Sequence, residues 1–133
     1  MNQSHRSARW ILLVAALFGA VALVLSASSA HTLKSLVNVE DLARIQTAND
    51  YLMYYSLLLL VLGLFCQLRP ASGLPRAAAL FTTGTSIFCG GLYIISVTKM
   101  SSLAWLVPLG GLTLLAGWLQ LAWTAWREGE TDD

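Results

Sequence analysis

WILLVAALFGAVALVLSA, residues Trp10–Ala27, carries no charge along its whole length. Three later blocks share that property: Tyr51–Leu68, Ala77–Thr98 and Leu103–Trp126. A helix that crosses the hydrocarbon of a bilayer needs about 20 mostly apolar residues, because each adds 1.5 Å of rise. The blocks therefore predict four transmembrane helices, at about 10–30, 51–68, 77–98 and 103–126. Composition agrees. The chain has 133 residues, 56% hydrophobic and 11% charged, where a soluble domain carries roughly 25% charged residues. No block has a polar face, which excludes a water-soluble helical bundle. The expected fold is all-α: an integral membrane four-helix up-down bundle, one transmembrane domain over residues 1–133.

The first block admits a second description. Arg6 and Arg9, an apolar run and then Ser28-Ser29-Ala30 also fit a signal peptide with a small-residue cleavage site. The run is long for such a segment, so a retained helix is expected. A mature chain starting at His31 would overturn that expectation.

Basic residues set orientation across a membrane. Arg6, Arg9, Arg69, Arg76 and Arg127 fall on one side of the four-span scheme, and Lys34, Arg44 and Lys99 on the other. The expectation is a multi-pass bacterial inner-membrane protein with both termini in the cytoplasm. The link Arg69–Arg76 is short, basic and broken by Pro70, Gly73 and Pro75. Trp10, Trp123 and Trp126 mark one interface, and Tyr51, Tyr54, Tyr55, Tyr93 and Trp105 the other.

The first outer loop predicts structure of its own. Asn38 suits a helix cap, and Glu40 and Asp41 suit the positive end of the helix dipole. Glu40 and Arg44 are spaced for an i,i+4 ion pair. Leu42, Ile45, Asn49 and Leu52 share a face. A short surface helix over about 39–50 is expected, able to run straight into the second span.

Lipid tails are as apolar as leucine, so helices in a membrane join through close packing of small residues and shared hydrogen bonds. Small residues recur at helical spacing: Ala15, Gly19, Ala22, Ser26 and Ala30 in the first span; Ala78, Thr82, Ser86 and Gly90 in the third; Gly110, Thr113, Gly117, Gln120 and Thr124 in the fourth. The expected packing residues are Gly19, Ser86, Gly90, Gly110, Thr113, Gly117 and Gln120. Pro108, read as the sixth residue of its span, is expected to kink it. Cys66 and Cys89 sit at different depths, too far apart for a disulfide, and read as small packing residues.

No ionisable side chain lies inside a span, which leaves a proton-driven transporter short of a carrier. No catalytic constellation shares one depth. His5 and His31 lie on opposite sides of the membrane, so no metal site is expected, and no cofactor. No basic cluster is long enough for nucleic acid. The polar residues nearest one another, His31, Asp50, Tyr55 and Tyr93, mark a candidate pocket at the outer end.

Four short elements in register, AHTLK (Ala30–Lys34), IQTANDY (Ile45–Tyr51), FCGGLY (Phe88–Tyr93) and PLGG with AGW (Pro108–Gly111, Ala116–Trp118), give the chain its resemblance. It resembles the domain-of-unknown-function 423 family, the YgdD-like small inner-membrane proteins related to transmembrane protein 256, from about Arg9 to Trp126. The resemblance implies four transmembrane helices and no established chemistry. Two departures stand out. The family's glycine-rich lead into Ala-His is replaced by Ser26-Ala27-Ser28-Ser29, and Tyr55 stands where the family has a histidine near the start of helix two. Tyr55 is then a hydrogen-bond donor for His31.

These readings predict a non-enzymatic structural or accessory protein, in contact with the lipid bilayer and with a second copy or another membrane protein. The alternative is a passive carrier or binder of a small apolar or lipid molecule at the outer pocket.

Overall fold

The computed structural model describes residues 3–31, 33–68 and 73–129. The Arg69–Ser72 part of the second link lies outside the described residues. The described chain is all-helical: α1 (Gln3–His31), α2 (Val39–Leu68), α3 (Leu74–Thr98) and α4 (Leu106–Gly129), with 3-10 turns at Leu33–Ser35 and Ser101–Leu103. All four are long and apolar enough to cross a membrane.

Local chemistry explains the ends. Asn38 caps α2: its side-chain oxygen accepts the backbone N–H of Asp41 at 2.8 Å. No separate surface helix forms. Residues 39–50 are the opening turns of α2, which runs unbroken for 30 residues. At ~45 Å it is longer than the roughly 30 Å hydrocarbon core. Pro75 sits in the first turn of α3, where its missing N–H is not needed. The same physics corrects the expected kink at Pro108. α4 begins at Leu106, so Pro108 also lies in a first turn. Lys99 closes α3 in the left-handed region at φ 58°, its N–H bonded to Ile95 O at 2.9 Å.

Neighbouring helices run antiparallel. Along α1 and α2, Ser29 meets Asn49, Gly19 lies on Ser56 and Gly63 lies on Leu12. Along α2 and α3, Ala48 meets Cys89 and Asn49 meets Tyr93. Along α3 and α4, Phe88 meets Gly110, Phe81 meets Gly117 and Gly73 meets Thr124. α2 and α3 form the middle of the assembly, and α1 and α4 flank it. The deepest core joins Ala8, Ile11 and Ala15 to Leu59, Leu62, Cys66, Ala77, Ala78, Phe81 and Leu114. Both cysteines are buried free thiols.

The packing stripes differ from those expected on two helices. On α3, Ser86 points outward, its hydroxyl bonded to Thr82 O of its own helix, and Gly90 borders open space. The next residue, Gly91, is the one that faces α4, against Leu106 and Val107. On α4 the buried residues are Gly110, Leu114, Gly117 and Thr124. Thr113 and Gln120 lie beside this seam, bonded to Leu109 O and to Thr124 respectively. Gly110 makes the tightest approach to the backbone of a neighbouring helix. A Cβ there would sit 2.4 Å from the backbone nitrogen of Phe88, which cannot move aside as a side-chain tip can.

Candidate functional site

Two polar assemblies occupy the end of the molecule that bears His31 and Lys99. The first is a relay across three helices. Tyr93 donates its hydroxyl proton to Asn49 Oδ1 at 2.5 Å, and Asn49 Nδ2 donates to Ser29 Oγ at 3.2 Å. Ser29 donates in turn to Leu25 O at 2.7 Å. Cys89 Sγ donates to Ala48 O one residue before Asn49. Asn49 and Ser29 are buried. A buried amide costs free energy unless bonded, so this relay fixes the mutual register of α1, α2 and α3.

The second assembly is ionic. Asp41 is buried to 2% exposure in the first turn of α2. Arg44 Nη1 donates to its Oδ1 at 2.9 Å, and Lys99 Nζ donates to its Oδ2. Arg44 also pairs with Glu40, as the spacing predicts. The carboxylate sits at the positive end of the α2 dipole and draws the end of α3 onto the start of α2. The left-handed backbone of Lys99, which costs a side-chain-bearing residue about 1 kcal/mol or more, is held in place by that tie. Sequence reasoning gave Asp41 a dipole role and missed its burial, because its partner Lys99 is distant in the chain.

The four residues of the expected pocket do not converge. Tyr93 joins the relay. Asp50 is exposed and borders a groove of about 300 Å³ with Ser26, Ser29, Ala30, Gln46 and Asn49. His31 is exposed at the end of α1. Tyr55 accepts a hydrogen bond from Trp118 Nε1 at 3.1 Å rather than serving His31, and it lines a different groove with Tyr51, Tyr54, Leu58 and Trp118. No group of three or more His, Cys, Asp or Glu among the described residues is arranged to hold a metal ion. The arrangement joins helices.

Comparison with known proteins gives one consistent picture. The family described as "Protein of unknown function (DUF423)" matches residues 25–111. The UPF0382 inner membrane protein YgdD of Escherichia coli is 30% identical over 84% of this chain and 86% of its own. The UPF0382 membrane protein YwdK of Bacillus subtilis is 31% identical over 83% and 90%. A UPF0382 membrane protein of Haemophilus influenzae is 28% identical over 87% and 93%. No solved structure matches.

Proposed function

Because this chain belongs to the DUF423 family and is a polytopic membrane protein, we propose a non-enzymatic accessory role in the inner membrane. The four helices cross in up-down order with both termini in the cytoplasm, and α1 and α4 contact a second copy or another membrane protein. One observation carries this reading: the buried polar side chains Asp41, Asn49 and Ser56 each bond a neighbouring element, while α1 and α4 leave long apolar faces uncovered. Leu13, Leu17 and Val24 on α1, and Leu112, Leu115 and Leu119 on α4, are all exposed. The printed name of the Escherichia coli relative supports the inner membrane as the location. The excess of arginine on the side of both termini supports the orientation.

A photo-crosslinking residue at Leu17 or Leu112, activated in native membranes, tests the contact. The expected result is a discrete adduct, absent when the same residue replaces buried Leu59. Only lipid adducts at both exposed positions would overturn the reading.

A further inference from the structure

α4 packs along α3 and leaves a lateral opening toward α2. Tyr51, Tyr54, Tyr55, Leu58 and Trp118 line that opening, a groove of about 330 Å³. Rings of α3 back it: Phe88 stands 4.9 Å from Tyr51, and Phe81 stands 5.5 Å from Tyr55 and 5.3 Å from Trp118, centroid to centroid. None of the lining residues is charged, so the groove suits an uncharged part of a molecule.

Its polar equipment is one-sided. Trp118 donates to the Tyr55 oxygen, which leaves the Tyr55 proton without an acceptor among the described residues. The Tyr51 and Tyr54 hydroxyls have none there either. An unmade hydrogen bond in hydrocarbon costs several kcal/mol, so the Tyr55 hydroxyl, on the residue furthest along α2 of the three, calls for an acceptor. Depth says which one. From Leu68 back to Tyr51 is ~26 Å along α2, close to the full hydrocarbon thickness of about 30 Å. Helical side chains lean toward the N-terminus, which carries the Tyr55 hydroxyl toward that same boundary. The acceptors at this boundary are the ester carbonyls of bilayer lipids.

We propose that this groove holds one acyl chain of a phospholipid, with its ester carbonyl accepting the Tyr55 hydroxyl proton. The chain lies against the Phe81, Phe88 and Trp118 rings. The site is independent of the protein contacts proposed for α1 and α4.

Native mass spectrometry of the full chain in mild detergent tests it. Ester-linked diacyl phosphatidylethanolamine is compared with its ether-linked analogue of equal chain length, which lacks the carbonyl. The expected result is one ester lipid per chain, retained roughly fivefold better than the ether lipid, the worth of one hydrogen bond. In Tyr55→Phe, which keeps the ring contacts, the difference disappears. Leu58→Trp fills the groove and lowers retention of both. Equal retention of ester and ether lipid by the unmodified chain overturns the proposal, whether or not the variants fold. Displacement of the ester lipid by a short-chain quinone also overturns it, by assigning the groove to a different carbonyl.

Discussion

The two ends of the molecule hold their helices together by different physics. At the His31 end, the buried Asp41, Asn49 and Ser29 take polar partners across elements: Asp41 with the exposed Lys99, Asn49 with the half-buried Tyr93 and with Ser29. At the end bearing the termini, Ala8, Ile11, Leu62, Cys66 and Ala77 meet as small or branched apolar side chains. The cations there, Arg6, Arg9, Arg76 and Arg127, make no ion pair among the described residues. The lesson concerns tolerance. Apolar packing in lipid gains only from contact and shape, so it fails when volume changes. A polar tie fails when one partner is left without the other, because the remaining group stays buried and unpaired.

The largest expected effect follows from that asymmetry. Replacing both cations of the ionic assembly, Arg44→Met with Lys99→Met, leaves the Asp41 carboxylate buried and alone. A loss of about 3 kcal/mol is expected, measured by unfolding in lipid nanodiscs. Restoring neutrality with Asp41→Asn in the same background should recover most of it. At the other end, Ala77→Leu inserts volume into a fully buried position. It should cost about 2 kcal/mol and be insensitive to salt, whereas the native ionic end weakens as salt rises. The smallest effect separates charge from backbone. Lys99→Ala and Lys99→Gly lose the same ion pair, but glycine accepts φ 58° freely. Lys99→Gly should be more stable than Lys99→Ala by about 1 kcal/mol. Equal values would show that the left-handed cap carries no strain.

Much of this architecture is written in the sequence. Charge-free blocks mark four helices because backbone groups in hydrocarbon must bond internally. Asn38 marks the start of α2 because a cap acts within one turn. The stripe on α1 is also legible, since Ala15 and Ala22 are buried at the heptad spacing. The α3 and α4 stripes are less so. Ser86, Thr113 and Thr98 each bond the carbonyl four residues back in their own helix, so a hydroxyl at helical spacing does not mark an interhelical seam. Whether Gly90 or Gly91 faces α4 turns on a rotation of about 100°, which small-residue spacing alone does not set. The pocket assigned to His31, Asp50, Tyr55 and Tyr93 dispersed for a related reason. Those residues share a depth but not a face. The tie between Asp41 and Lys99 escaped notice because it depends on tertiary contact between the start of α2 and the end of α3.

The central claim is that buried Asp41 and Asn49 join one helix to another at the His31 end, with Asp41 and Lys99 as the strongest tie. A double-mutant cycle on that pair tests it most directly: Lys99→Met measured in the native chain and in Asp41→Asn, by equilibrium unfolding in nanodiscs. The account predicts that Lys99→Met costs more than about 1 kcal/mol in the native chain and close to nothing in Asp41→Asn. The same cost in both backgrounds would contradict it.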